Sequence, residues 1–197
     1  MSGARQARGS ARARLLNAAD QLFYAHGIAS TGVDAVIARA GVATASLYKN
    51  FAGKDDLVAA YLSARDQRWR EHWESCIAEL ANPDERVLAL FTAMRSWDAG
   101  PGPNRGCAHV AASLQLPQDH PGRVVAREHK RHVLERLGQL VAEASIPNSQ
   151  EVTGDLMMIY EGMLSLLALD LDPDAIARAH GLARLRIGAQ SSYRGYP

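Results

Sequence analysis

The chain has 197 residues, 47% hydrophobic but only 6% aromatic, and its formal net charge is +1. That is enough apolar chain for a substantial core, and the scarcity of β-branched runs favours helices. No run approaches the ~20 apolar residues that cross a bilayer, and no apolar segment follows the N-terminal arginines, so the sequence predicts neither a membrane span nor a signal peptide. The small net charge hides polarity. Residues 1–54 hold seven Lys/Arg (Arg5, Arg8, Arg12, Arg14, Arg39, Lys49, Lys54) against Asp20 and Asp34, whereas the remainder holds 15 basic and 19 acidic residues. A basic head on a mildly acidic body points to an anionic partner at the head.

The segment MSGARQARGSARARLL is read as an Arg-rich arm that becomes helical near Ser10. Such an arm can reach a neighbouring DNA groove or simply keep a tail solvated, and both readings stand. Leu15, Ala18, Ala19, Leu22 and Phe23 then form an apolar face that Gly27 ends. Val33, Val36, Ile37 and Ala40 recur at three- and four-residue steps, which lays one stripe along a second, short helix. Gly41 stops it, since glycine takes the positive φ that closes a helix. A third helix, from about Thr44 to Asn50, buries Leu47 ahead of Phe51 and leaves small, hydroxyl and basic groups outward. Two short helices around a Gly turn form a helix-turn-helix, whose second helix fits the major groove.

Punctuation divides the rest into further helices. One runs from Lys54 to about Leu80. A second opens at Asn82-Pro83 and runs to about Trp97, with Asn82 as N-cap and proline at the first helical position. Ala99-Gly100-Pro101-Gly102-Pro103-Asn104 is a loop. A short helix follows near Cys107–Leu116, then a long one over about Pro121–Ala144. Asn148 is expected to cap the next, through Leu169, and Asp172-Pro173 to open the last. The predicted fold is all-α, about nine helices, with residues 1–54 as arm and helix-turn-helix domain and 55–197 as a larger helical domain.

Thr31 to Lys54, TGVDAVIARAGVATASLYKNFAGK, resembles the DNA-binding domain of TetR/AcrR-family transcriptional repressors. The resemblance implies DNA contacts from Thr31, from Thr44, Ala45 and Ser46, from Tyr48, and from Lys54. Physically, Tyr48 offers a ring for a thymine methyl or a hydroxyl for phosphate, Ser46 a compact donor, and Lys54 a charge at a helix N-terminus. Lys49, Arg12 and Arg14 add basic candidates. Ala43 departs from the family's capping Ser, so the cap of the third helix must come from elsewhere or be absent. The resemblance further implies a cytoplasmic homodimer on a near-palindromic double-stranded DNA operator, released by a small-molecule inducer. Family members dimerise through their last two helices, where Leu156, Met163, Leu167, Ile176 and Leu182 are the candidate interface.

Bulky, adaptable side chains suit an apolar or aromatic inducer. Trp69, Trp73, Phe91, Met94, Trp97, Cys107, His109, Met157 and Tyr160 are the candidate lining. RGCAHVAASLQ, Arg105 to Gln115, resembles a stretch that lies beside the cavity in one branch of the family. Cys107 and His109, with His129 and His132, have metal-ligating chemistry, but no second close Cys/His pair completes a signature, so the sequence predicts no metal and no cofactor. Cys76 and Cys107 without a CxxC read as reduced structural thiols. No phosphate loop, nucleophile elbow or helical His-Glu motif appears, so no catalytic residue and no enzyme is predicted. A purely partner-binding scaffold would explain the long helices but not the basic head.

Overall fold

In a computed structural model, residues 9–97 and 106–191 are described. Their nine helices are α1 (Ala11–His26), α2 (Val33–Ala40), α3 (Thr44–Asn50), α4 (Lys54–Ala78), α5 (Pro83–Ser96), α6 (Ala108–Gln115), α7 (Pro121–Glu143), α8 (Ser149–Ala168) and α9 (Ala175–Ser191). The arm at residues 1–8 and the loop assigned to Ala99–Asn104 lie outside the described residues.

The helix ends follow from local chemistry. Ser10 Oγ accepts from the Ala13 N–H at 3.2 Å, and Asn82 Oδ1 accepts from Asp84 and Glu85 N–H, each satisfying donors orphaned at a helix start. Gly41 is left-handed, with φ 59°, and returns its N–H to Ala38 and Ile37 carbonyls. With Ala43 before it, α3 has no side-chain cap, so of the two options the cap is absent. Three helix starts differ from expectation. Asn148 is left-handed and its side chain caps nothing, while His120, unforeseen as a cap, accepts the Gly122 N–H through Nδ1 at 2.9 Å. The last helix begins at Ala175, because Asp172 closes a turn onto the Asp174 N–H before it.

Two apolar cores form. The head core joins Leu15, Phe23, Val36, Leu47 and Phe51 to Leu57, Val58, Tyr61 and Leu62 of α4 and to Ala108 and Ala112 of α6. The body core joins Trp73, Ile77, Leu88, Phe91, Leu137, Leu156 and Ile187. A cut at residue 54 therefore passes through one packed unit, since α4 serves the head with its first turns and the body with its last. Between them α4 carries a polar belt: Arg65 and Asp66 are buried. Arg65 donates to Asp20 of α1 at 2.9 Å and its guanidinium lies 4.3 Å over the Tyr24 ring. A buried charge requires partners of this kind.

Helix α6 is tied to the head at both ends. Gln115 Oε1 accepts from Ile28 and Ala29 N–H at 3.0 and 3.3 Å, and the Tyr24 hydroxyl donates to the Gly106 carbonyl at 3.4 Å.

Candidate functional site

The head presents α3 outward. Leu47 of α3 is fully buried while Thr44, Ala45, Tyr48 and Lys49 are exposed, with Tyr48 at 59%, and Ser46 is half-buried. The seven-residue helix is anchored by one large apolar side chain and shows the rest of its surface to a partner. Asp56 Oδ2 accepts the Ala52 N–H at 2.9 Å, which fixes the turn between α3 and α4 and holds Lys54 at the start of α4 beside α3. Free N–H groups at that helix start add to the Lys54 charge in attracting an anion. Arg12 is exposed on α1, its guanidinium 5.2 Å above the Phe51 ring.

The body holds a small cavity about 40 Å³ in volume, lined by Arg65, Trp69, Met94, Trp97, Gly106, Cys107, Ala108, His109, His129, Tyr160 and Leu164. That space suits a water or an ion and is well below the ~300 Å³ at which drug-sized ligands are held. One donor atom each from Cys107, His109 and His129 lies within 4.8 Å of the other two. The His109 and His129 rings stack, 3.9 Å between centroids and 11° from parallel. Each ring is fixed from behind by α4: His109 Nε2 bonds to the Leu62 carbonyl at 3.0 Å, and His129 Nδ1 to Asp66 Oδ1 at 2.7 Å.

The protonation states follow. Burial pushes the His109 imidazole down to about 4, so the ring is neutral and its Nε2 is the donor to Leu62. Burial alone would raise the Asp66 carboxyl, but hydrogen bonds from His129 and Arg70 outweigh it and hold the group at about 2. Burial also opposes ionisation of Cys107, yet the Lys130 charge and a hydrogen bond from His129 bring its thiol down to about 6. At neutral pH the cluster is thus a thiolate beside a neutral imidazole, with an ionised carboxylate behind the second ring. On the other side of Cys107, a groove of about 190 Å³ between α6 and α8 runs past Val110, Leu114 and Leu164. The buried Trp69 indole N–H, on the cavity wall, has no acceptor among the described residues.

Residues 15–61 match the profile of the bacterial regulatory proteins of the tetR family. Over 92% of its length the chain superposes on a TetR-family transcriptional regulator from Streptomyces coelicolor, covering 96% of that protein at 31% identity and a TM-score of 0.84. The chain belongs to the TetR family. A curated relative, the HTH-type transcriptional repressor KstR2 of Mycobacterium tuberculosis, is 28% identical over 127 residues, 64% of this chain and 59% of the relative's length. A TetR-type regulator from Streptomyces avermitilis superposes with a TM-score of 0.70 at 26% identity. This TetR-family chain is accordingly a DNA-binding transcriptional regulator, a non-enzymatic class.

Within that frame several residues move from the roles expected of them. Thr31 is 4% exposed and donates its hydroxyl to the Gly27 carbonyl at 2.8 Å, which withdraws it from the outer surface and makes it a clamp on the turn after α1. Arg14 reaches across to the Ala40 and Gly41 carbonyls, where it neutralises the C-terminus of α2, so its charge is spent inside the head. Trp69, Met94, Trp97, Cys107, His109 and Tyr160 do line the cavity. Trp73 and Phe91 do not, being fully buried in the body core, and Met157 packs on the outside of that core. Leu156 and Met163 are likewise buried within their own protomer and have no surface to offer a second copy. Leu167 and Ile176 are half-buried, and Leu182 is 50% exposed on α9. His132, one turn from His129, faces Arg70 and Glu74 and stays outside the cluster. Of the candidates for metal-ligating chemistry in the sequence, His129 joins Cys107 and His109 and His132 does not, whereas Arg65 and Asp66 were not foreseen, because no local pattern links them to α6.

Proposed function

We propose that the protein is a repressor that binds a near-palindromic operator as a homodimer in the cytoplasm and releases it when a small effector enters the cavity between α4, α6, α7 and α8. The observation that carries the reading is the exposed face of α3, with Thr44, Ala45, Tyr48 and Lys49, held beside Lys54. One such helix reads only a few base pairs, so two copies on a two-fold axis give the discrimination an operator needs. The exposed apolar positions Leu182 and Leu185 on α9, with Met158 on α8 and Leu169 just past its end, support these helices as the meeting surface.

Release follows from linkage. An effector that favours a different packing of α6 against α4 shifts the head relative to the duplex, and DNA affinity falls by the same factor by which DNA weakens the effector. In its present form the cavity takes no aromatic molecule without opening. No described helix is long and apolar enough to cross a membrane. The test is fluorescence anisotropy of the full chain on the DNA upstream of its own gene and on scrambled DNA. Selective, salt-steep binding is expected, and equal weak binding to both would refute specific operator recognition there.

A further inference from the structure

We propose that Cys107, His109 and His129 form a site for one d10 metal ion, Zn(II) or Cu(I), and that this ion is the effector. The second half rests on the ligand-responsive reading above, whereas the first half stands on the geometry. One thiolate and two imidazoles are ligands these ions share, and three protein ligands leave a fourth position for water or for the Met94 thioether on the same cavity wall.

Four features mark the cluster as built to ligate. Each histidine has its non-ligating nitrogen already bonded, His109 to a backbone carbonyl and His129 to a carboxylate, the arrangement that orients metal-bound imidazoles and raises their basicity. Both imidazoles are 3% exposed, and the cavity has room for an ion and little else. The two cations beside the cluster are both ion-paired, Lys130 with Glu161 at 2.6 Å and Arg65 with Asp20 at 2.9 Å, which lessens their opposition to an incoming cation. The groove between α6 and α8 supplies a path from the surface to Cys107.

The geometry also says how an ion would be felt. Stacked, nearly parallel rings cannot both aim a nitrogen at one centre, so ligation must tilt them apart. Cys107 and His109 belong to the start of α6 and His129 to α7, while the partners behind the rings, Leu62 and Asp66, belong to α4. Separating the rings therefore pushes α6, already hydrogen-bonded to the head at both ends, against the helix that begins at Lys54. Asp66 lies 12 residues along α4 from Lys54, about 18 Å at helical rise.

The full-length protein is dialysed against buffered Zn(II) and, anaerobically, against buffered Cu(I), and retained ion is counted per chain. Co(II) serves as a spectroscopic probe for Zn(II), since a thiolate ligand gives a sulfur-to-metal charge-transfer band. Expected are one equivalent per chain, the band in wild type and its loss in Cys107→Ser. Asp66→Asn, which keeps all three ligands, should weaken binding about 10- to 100-fold, and His132→Ala should change nothing. Circular dichroism checks that each variant is folded. No retained ion, or equal retention by Cys107→Ser, overturns the site. Ion bound with operator affinity unchanged overturns the effector role alone. If the wild type binds no operator in either state, the regulatory reading fails while the dialysis still decides the site.

Discussion

Replacing Lys54 with alanine separates a DNA contact from a structural role by moving two observables in different directions. Lys54 is half-buried at the first position of α4 and forms no ion pair among the described residues. A cation at a helix N-terminus opposes the helix dipole, so Lys54→Ala should leave stability unchanged or raise it by up to ~0.5 kcal/mol. DNA binding should respond oppositely. Each phosphate neutralised contributes about −0.9 to the slope of log K against log salt, so one lysine per protomer in a dimer contributes about −1.8. At ~0.15 M salt that slope corresponds to about 1.5 log units, a loss of roughly 30-fold in affinity. Anisotropy titrations on one operator duplex at four salt concentrations give the slope, and urea unfolding gives the stability. An unchanged slope would show that Lys54 meets no phosphate. A fall in unfolding midpoint alongside the affinity would show that the residue acts through the fold.

Acid should weaken the fold over a defined window. His109 titrates at 6.5 when unfolded but only near 4 when folded, so between those values the unfolded chain binds a proton that the native chain does not. The His109 contribution is then full above 6.5 and falls as pH drops toward 4, by roughly 3 kcal/mol, and His109→Gln should flatten that part of the curve. Urea midpoints that stay level from pH 7 to 4.5 would refute the buried neutral ring. Gly106→Ala should cost at least about 1–2 kcal/mol, because φ is +68° and an added Cβ would lie 2.9 Å from the Leu164 carbonyl oxygen. A wild-type melting temperature in that variant would contradict the close approach of Gly106 to α8. Leu182→Glu with Leu185→Glu should convert a dimer to folded monomers in sedimentation, and a persistent dimer would place the interface elsewhere.

Periodicity made the helices legible because each is amphipathic over its own length: Val36, Ile37 and Ala40 mark α2 as surely in the sequence as in the packing. Exposed positions on α3 were legible for the same reason, since Leu47 fixes which side is inner. Thr31 and Arg14 misled because a hydroxyl or a guanidinium reads alike whether it meets a phosphate or a carbonyl. Arg14 finds its partner on α2, 26 residues away, and nothing in its neighbours records that. The same limit hid the polar back of the cavity, although much of its apolar and aromatic wall was legible. Its chemistry comes from Asp66, Cys107, His109 and His129 on three helices, and only tertiary packing brings those side chains together. Size was also invisible: Trp69, Trp97 and Tyr160 promised space for an aromatic guest, but they fill the room themselves.

The double attachment of α6 matters for anyone exchanging heads among such regulators. A chimera that transplants residues 1–54 alone would strand Ala108 and Ala112 against foreign side chains and leave Gln115 without the Ile28 and Ala29 amides it holds. The transferable unit is discontinuous in sequence, the N-terminal stretch through Leu62 together with α6. Recombination that respects only the linear order would yield proteins that fold in two halves with a mismatched seam between head and α6.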